Sequence, residues 1–530
     1  MKAPNPGAGP GAGLGAVACG HPVTASAAAE ILAEGGNAFD AVIAAQFAAC
    51  VAEPVLASLG GGGFLLAHPA AGAPSVYDFF VQTPRSRREA SAVDFHPVHA
   101  DFGTATQEFH IGLGAAATPG SLAGMEAIHG DLASLPMARL VEPAARSARE
   151  GVRTEALQAR IFEIVKPIYA ASSEARSIYA GIKEGGLLVQ SDLADTLEQV
   201  ARDGAGRFYR GDFAEAVTRL AREAGGHLSM ADLSRYRVVR RKPLSLRHAG
   251  ATVITNPPPS SGGLLIGFSL QLLGAMTTAG LAFGSAEHLI ALAETMAATN
   301  QARVDVLAAT GKHAALDPAL VERYRREILG SPRFNRGTTH ISVVDGAGNA
   351  AAMTLSNGEG CGAVIPGTGV MLNNMLGEED INPDGFGNWP PDRRLTSMMA
   401  PTLVETATRR RLALGSGGSN RIRTAILQVI SNLLDFGDDV EAAVSRPRLH
   451  LEGDLLSIES GFESDAVRAL KAGSASIHEW PGQSLFFGGV HVAEQADGRF
   501  WAAGDPRRGG VGRVVAGTGD GTVPGSGIGR

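Results

Sequence analysis

Residues 337–357 read GTTHISVVDGAGNAAAMTLSN, and this stretch decides the fold. The apolar residues of HISVV and of AAAMTL predict two strands, and the glycine-rich residues between them predict the tight turn of a hairpin. Such a hairpin can open on polar residues that have no chemical role. This one opens on Gly337, Thr338, Thr339 and His340, so a hydroxyl at its start is also a candidate nucleophile. The remainder of the chain decides between the two interpretations.

Composition bounds the class of protein. The chain has 530 residues, with 46 basic and 53 acidic side chains and a net charge of −7. Its basic residues form no cluster longer than the short one at residues 85–88, so we expect no nucleic-acid partner. The longest apolar stretch, residues 41–51, is too short to cross a bilayer. The first fifteen residues lack the apolar core of a signal peptide, so we expect a cytoplasmic protein with no membrane partner.

The order of the predicted elements favours a layered α/β protein. Residues 21–52 predict two helices, with Gly35 and Gly36 ending the first and Asn37 beginning the second. The chain from residue 122 to residue 328 is mostly helical in pattern, and strands dominate after residue 337. A helix-rich part followed by a strand-rich part indicates sheets covered by helices. The predicted strands after residue 337 are HISVV, NAAAMTLS, GVML, APTLVET, RLALG, GGVHVAEQ and RFWAAG.

Three cysteines and the histidines carry no metal pattern. Cys19, Cys50 and Cys361 are an odd number with no ligand spacing, and we interpret them as buried thiols. The sequence also lacks HExxH and similar spacings, which argues against a metal-dependent hydrolase. We therefore expect no metal and no cofactor.

A series of short motifs, each weak alone, occurs in one order along most of the chain. In this order the chain resembles the gamma-glutamyltransferases, which are N-terminal-nucleophile hydrolases, over roughly residues 16–511. The resemblance implies an autocatalytically cleaved zymogen of glutathione metabolism and a four-layer α/β/β/α sandwich. The motifs are EILAEGGNAFDA, EPVLASLGGGGF, ATPGSLAG, NPPPSSGG, GTTHISVVDGAGN, LNN, SMMAPTLV, GSGGSNRI, RPRLH and GDPRRGG.

The resemblance also implies how the chain is divided. Cleavage between Gly337 and Thr338 would give a large fragment, residues 16–337, and a small fragment, residues 338–515. The two fragments are expected to stay associated as one intertwined domain, because they share a core. Residues 1–15 and 516–530 are expected to be flexible ends. A homo-oligomer is possible on this reasoning.

The catalytic chemistry implied by the resemblance centres on Thr338. After cleavage its hydroxyl is the nucleophile and its own α-amino group is the general base, which at a pKa near 7.7–8.0 accepts a proton near neutral pH. Gly417 and Gly418 match the position of the oxyanion hole, although a tight strand-to-helix turn explains them equally well locally. Ser356 matches a hydroxyl that hydrogen-bonds the nucleophile. His340 is assigned a structural role.

The residues expected to bind substrate show where this chain departs from the family. Asn357, Thr396 and Ser397 match polar positions around the glutamyl group, and Glu378 is the best match for the acid that binds its α-amino group. In YDFFVQTP, however, Phe80 stands where the family has the arginine that grips the α-carboxylate. Phenylalanine cannot replace a bidentate arginine. Three nearby arginines remain candidates for that role: Arg85, Arg87 and Arg88.

Three functions remain open from the sequence. The first is transfer or hydrolysis of a gamma-glutamyl group, or a related acyl group, carried by a small amide. The second is an acylase of the cephalosporin or glutaryl type. The third is a non-catalytic relative that serves as a binding module, against which the joint presence of Thr338, Ser356, Gly417 and Gly418 argues. Because of Phe80, we expect weak activity on simple gamma-glutamyl anilides and better activity on amides whose acyl part lacks the carboxylate or is larger.

Overall fold

The computed structural model describes residues 8–101, 106–276, 280–308, 337–382, 385–473 and 476–517. In chain order its helices α1 to α16 are Pro22–Ala33, Ala38–Ala52, Ser121–Leu132, Met137–Glu150, Ala156–Ile164, Lys166–Tyr169, Ser173–Tyr179, Ser191–Asp203, Gly206–Arg210, Asp212–Glu223, Met230–Arg235, Gly262–Ala275, Ala286–Ala308, Arg421–Leu434, Val440–Ser445 and Ser464–Gly473. In the same order its strands β1 to β20 are Ala8–Cys19, Gly62–His68, Ser75–Asp78, His96–Asp101, Thr106–Ile111, Val152–Arg153, Leu187–Leu188, Val239–Arg241, Leu244–His248, Ala251–Thr255, Thr339–Asp345, Ala350–Ser356, Thr402–Glu405, Arg411–Gly417, Leu449–Glu452, Leu455–Glu459, Ser476–Trp480, Gly489–Ala496, Arg499–Ala503 and Val511–Ala516.

The predicted hairpin lies at the centre of the main sheet. Strands β11 and β12 pair antiparallel, with Thr339 opposite Leu355, and β12 continues the sheet through β2 to β3 and β8. On the other side β11 pairs with the second half of β1. The first half of β1 pairs with β19, which leads through β18, β14, β13 and β10 to β9. Strand β1 therefore joins two half-sheets that fold over each other.

The two half-sheets pack face to face, since β11 contacts β14 and β18 without pairing to either. Helices α1 and α2 cover the β11 side, and α12 and α14 cover the β14 side. Successive residues of β11 point to opposite faces, as strand geometry requires. Ile341 and Val343 belong to the core under α1 and α2, and Val344 belongs to the core between the half-sheets. The four layers are thus α, β, β and α, as predicted.

The Ala-rich helix α2 explains how the outer layer packs so closely. It begins at the predicted cap Asn37, whose side chain accepts the backbone N–H groups of Phe39 and Asp40. All fifteen of its residues are buried. A helix that is apolar all round is a core helix, and its small side chains let the neighbouring elements approach. Helices α1 and α2 lie where the sequence predicts them.

The N-terminal segment is not a flexible end from residue 8 onward, because β1 begins at Ala8. The glycines that predict flexibility instead permit close pairing. A β-carbon on Gly13 would lie 2.4 Å from the carbonyl oxygen of Val515, and one on Gly15 would lie 2.6 Å from that of Val344. A strand with neighbours this close on both sides needs glycine. The prediction of a flexible end is therefore wrong for the part of this segment that the structure describes.

Three other expectations have different outcomes in the structure. The stretch GVML, residues 369–372, forms isolated bridge pairs and not a strand, because its partners, Gly60 and Val364, lie in irregular segments. Ala516 ends β20, and the rest of the expected flexible tail, from residue 518, lies outside the described residues, as do residues 1–7. The three cysteines are buried free thiols, as predicted.

Candidate active site

Thr338 lies one residue before β11, and the chain is continuous from Gly337 into it. The side chain and backbone of Thr338 are 5% exposed, at one end of a narrow pocket between the half-sheets. The predicted nucleophile therefore faces a cleft and not the outer surface. The pocket is lined by Phe80, Thr338, Ser356, Met375, Glu378, Ile381, Ser397, Met398, Met399, Ser419 and Ile422.

The residue before the bond expected to be cleaved, Gly337, is fixed by hydrogen bonds to both its carbonyl oxygen and its N–H group. The Ser356 hydroxyl donates a 2.7 Å hydrogen bond to the Gly337 carbonyl oxygen, and the Gly337 N–H donates a 2.8 Å hydrogen bond to Oε1 of Glu359. A donor on this carbonyl draws electron density from the carbon that a nucleophile would attack. In the uncut chain Ser356 therefore contacts the scissile carbonyl, where the sequence predicts a bond to the nucleophile. Glu359 was not predicted.

Of the two predicted oxyanion glycines, Gly417 lies directly against Thr338, and Gly418 follows it in the turn. Gly417 ends β14, Gly418 has a φ of +123°, and α14 begins at Arg421, so the predicted strand-to-helix turn is present. A β-carbon on Gly417 would lie 2.1 Å from the carbonyl oxygen of Thr338. Only glycine permits this approach. The two interpretations of this stretch are therefore compatible, because the turn itself places the backbone of Gly417 next to Thr338.

A buried carboxyl group supports the strand on the side away from the pocket. Glu53, which the sequence analysis did not single out, accepts hydrogen bonds from Oγ1 of Thr339 at 2.8 Å and of Thr24 at 3.0 Å. Burial raises the pKa of Glu53 to about 7, although these hydroxyl groups and the charge of Arg508 favour the ionised form. Glu53 is the C-cap of α2, and its backbone N–H donates to the carbonyl of Ala49. The motif EPVLASLGGGGF begins at Glu53 and could have drawn attention to it. The motif does not indicate which residues Glu53 contacts.

His340 has the structural role predicted for it. Its Nδ1 lies 2.8 Å from the Thr354 hydroxyl and its Nε2 lies 2.9 Å from the Ser342 hydroxyl. The ring is fully buried, and burial lowers the pKa of His340 well below its ordinary value, so the imidazole stays neutral. It does not line the pocket.

The far wall of the pocket is apolar. Phe80 is 1% exposed and stacks on Phe64 at a centroid distance of 5.5 Å. Methionine and isoleucine side chains make up the rest of this wall, and Glu378 is the one charged residue among those that line the pocket. The lining contains no cation, so its hydroxyl groups could hydrogen-bond a substrate carboxylate but could not neutralise its charge. Ser397 lines the pocket too, and its hydroxyl accepts the Met399 N–H at 3.0 Å.

The arginines considered as substitutes for the missing clamp are held elsewhere. Nη1 of Arg85 lies 2.7 Å from Asp392, Arg87 donates to the carbonyl of Gly387, and Arg88 donates to the carbonyl of Arg222 at 2.8 Å. None of the three lines the pocket. A fourth cation, Arg394, donates to the backbone carbonyl of Phe80 and therefore lies behind the wall.

Two predicted substrate contacts are not brought into the pocket. The Thr396 hydroxyl donates to the carbonyl of Pro259 at 2.7 Å, which turns the side chain away. Asn357 is fully buried beside Gly61 and lies outside the pocket lining. Its side-chain amide makes no hydrogen bond within the described part of the chain. A motif fixes a position along the chain, but adjacent residues of an extended segment point to opposite sides. Ser356 and Ser397 took the inward positions.

Two further features are absent from the described residues. No helix there is long and apolar enough to span a bilayer. Nor do the described histidines, cysteines and acids form a group of three that could hold a metal ion.

Comparison with known proteins identifies the family. The family model for gamma-glutamyltranspeptidase matches residues 24–515. The chain belongs to the gamma-glutamyltranspeptidase family. It is 31% identical to a glutathione hydrolase proenzyme of Escherichia coli (strain K12), over 90% of this chain and 88% of that protein. It is also 31% identical to an acylase ACY 1 proenzyme of Pseudomonas sp. (strain V22), over 86% of each chain.

The solved structures agree on the fold. The crystal structure of a cephalosporin acylase from Bacillus halodurans superposes with a TM-score of 0.82 at 23% identity, covering 97% of this chain and 98% of that one. Both relatives are proenzymes, and this gamma-glutamyltranspeptidase family member is likewise an autoprocessed amidohydrolase or acyltransferase whose two fragments associate. The resemblance stated from the motifs and the four-layer fold are both confirmed.

Proposed function

We propose that this enzyme acts on amides whose acyl group lacks the α-carboxylate of a gamma-glutamyl group, with Thr338 as nucleophile. The observation that supports the proposal is Phe80, which occupies the wall of the pocket where the family's arginine is expected. An acyl group with a carboxylate would lose its hydration there and find no cation in the lining. Leaving a charged group without its partner costs a few kcal/mol, about a hundredfold or more in efficiency.

Maturation begins at the Gly337 carbonyl. The Thr338 hydroxyl attacks this carbon while Ser356 hydrogen-bonds its oxygen. The C–N bond breaks and the Gly337 acyl group moves from nitrogen to Oγ1, which frees the α-amino group. Water then hydrolyses the ester and leaves a carboxylate on Gly337. The new amino group and the hydroxyl of Thr338 lie together at the pocket.

Catalysis reuses the same atoms. The α-amino group takes the hydroxyl proton of Thr338 as its oxygen attacks the substrate amide. Backbone N–H groups of the turn at Gly417 and Gly418 stabilise the oxyanion, and the leaving amine takes the proton. Water or an amine then attacks the acyl-enzyme, which gives hydrolysis or transfer. In this second half the attacking water or amine gives a proton to the α-amino group, and that proton restores the Thr338 hydroxyl as the ester bond breaks.

A set of three para-nitroanilides tests the specificity. The gamma-glutamyl compound carries both an amine and a carboxylate, the gamma-aminobutanoyl compound keeps only the amine, and the glutaryl compound keeps only the carboxylate. Because Glu378 is the charged residue of the lining, we expect kcat/KM to be highest for the gamma-aminobutanoyl anilide. Phe80→Arg should raise kcat/KM for the gamma-glutamyl anilide about tenfold or more, and Phe80→Leu, which keeps the wall apolar, should not.

A second candidate is true gamma-glutamyl specificity. Glu378 favours it, because this acid lines the pocket at the position expected to bind the α-amino group. If wild type already prefers the gamma-glutamyl anilide strongly, or prefers the glutaryl anilide, a cation reaches the carboxylate and the proposed specificity is wrong. Loss of all turnover in Thr338→Ala would still identify the nucleophile.

A further inference from the structure

Arg508 has an unusual position next to the nucleophile. It belongs to the turn between β19 and β20 and is 8% exposed. Its Nη1 lies 3.5 Å from the carbonyl oxygen of Thr338, and its Nη2 lies 3.5 Å from that of Leu485. Its Nε is buried and has no hydrogen-bond partner within the described part of the chain. Two long contacts are few for a buried guanidinium group, which has five donors.

The carboxylates near Arg508 are bound to other groups: Glu53 accepts from the hydroxyls of Thr24 and Thr339, and Asp505 is paired with other arginines. Asp505 pairs with Arg448 at 2.7 Å and with Arg507 at 3.3 Å. Arg507 also pairs with Glu459 at 2.5 Å. No ion pair of Arg508 occurs among the described residues, so its charge is not cancelled by direct contact.

The guanidinium group lies along the turn that carries the candidate oxyanion hole. A β-carbon on Gly417 would lie 3.3 Å from Nη1 of Arg508, and one on Gly418 would lie 3.1 Å from Nη2. Burial lowers the pKa of Arg508 to about 10, which leaves the group charged at neutral pH. A full positive charge therefore lies beside the backbone of Thr338 in a poorly solvated place.

We propose that Arg508 is a positioning residue of this site: it holds the Thr338 carbonyl, and its charge keeps the α-amino group of processed Thr338 unprotonated near neutral pH. The proposal rests on the proposed function, in which that amino group is the general base. A neighbouring cation disfavours protonation of an amine, so the amine remains ready to accept the hydroxyl proton.

Other groups act on the same amine, and their signs differ. Burial of Thr338 also favours the neutral amine, whereas carboxylates nearby favour the ammonium form. Because His340 is held neutral, it contributes no charge. Arg421 adds a positive charge near Arg508. The acids that face the site are Glu53 through Thr339, Glu359 through Gly337, and Glu378 in the pocket.

Substitution of Arg508 isolates its contribution. In Arg508→Met the charge is lost and the aliphatic volume is largely kept, and in Arg508→Lys the charge is kept. The pH profile of kcat/KM reports the pKa of the general base on its acid limb. We expect this limb to move to higher pH by about 1 unit or more in Arg508→Met, since a charge at this range in a partly shielded site has that effect. Arg508→Lys should stay within a few tenths of a unit of wild type.

The same data separate this role from a structural one. Arg508 does not line the pocket, so KM should change little and the loss near neutral pH should fall on kcat. At high pH, where the amine is neutral in every variant, kcat of Arg508→Met should recover toward wild type. A general distortion of the site would lower kcat at all pH values.

Each variant is also prepared as two separate chains, so that it can be assayed even if it fails to cleave itself. Residues 1–337 and 338–530 are co-expressed as two chains, the second with an initiator methionine that is removed before threonine, so that no autocleavage is needed. Arg410→Met, which removes an arginine paired with Glu494 on a distant hairpin, is the control for loss of a cation. The proposal is overturned if the acid limbs of Arg508→Met and wild type coincide in this form. Activity that survives in Thr338→Ala would instead overturn the proposed function.

Discussion

The two walls of the pocket differ in how they are built. On the nucleophile side, Ser356 donates a hydrogen bond to the backbone carbonyl of Gly337, and Gly417 packs against the backbone carbonyl of Thr338. On the acyl side, Phe80 and Met398 present only apolar side chains. The first wall is defined by main-chain position, and the second by the choice of side chain. Chemistry and specificity can therefore change independently in this fold.

Two relatives with different names share the same identity with the chain. Both the glutathione hydrolase proenzyme and the acylase proenzyme are 31% identical to it. A substitution on the acyl side changes which donor fits and leaves maturation intact. A substitution on the nucleophile side affects maturation and turnover together.

The largest effect is expected on the nucleophile side, from Gly417→Ala. Its β-carbon would lie 2.1 Å from the Thr338 carbonyl oxygen, so the turn or the nucleophile must move. We expect kcat to fall by about 10²–10³, the range seen when an oxyanion-hole donor is lost. Autocleavage, followed on denaturing gels, should slow as well.

Gly482→Ala is the matched control, because a β-carbon there meets no atom within 4 Å. It should leave both rates unchanged. If Gly417→Ala matured and turned over like Gly482→Ala, the nucleophile wall would not depend on main-chain position.

A smaller effect is expected on the acyl side, from Met398→Ala. Loss of apolar surface from the wall should raise KM for the gamma-aminobutanoyl anilide about tenfold, because a few methylene groups in such a pocket contribute 1–3 kcal/mol. The rate of autocleavage should stay as in wild type. The two quantities to compare with wild type are KM for this anilide and the rate of autocleavage. Slower autocleavage in Met398→Ala would show that the walls are coupled.

Sequence predicted the parts that depend on local pattern and motif order. The hairpin and the turn at Gly417 follow from residues whose type is restricted by backbone geometry, and the position of Thr338 follows from the family resemblance. The direction of Asn357 and Thr396 could not be predicted, because a motif does not say which side of an extended segment faces the pocket. Residues 8–15 were misjudged because glycine serves close strand pairing as well as flexibility.

Long-range partners were beyond the sequence. The contact of Arg508 with Thr338 joins residues 170 positions apart, and that of Glu53 with Thr339 joins residues 286 apart. In neither pair does the local sequence around one residue indicate that the other residue contacts it. The first contact forms because β11 and β20 both pair with β1, and the second forms because α2 packs on β11.

The most direct test of the central claim is the intact mass of the mature protein, acid-quenched during turnover of an activated ester such as para-nitrophenyl butanoate. The account predicts two fragments, with the smaller one beginning at Thr338 and carrying the butanoyl mass on that residue. Thr338→Ala should remain a single chain with no adduct. An uncut wild-type chain, cleavage at another bond, or an adduct on any other residue would contradict Thr338 as the self-released nucleophile.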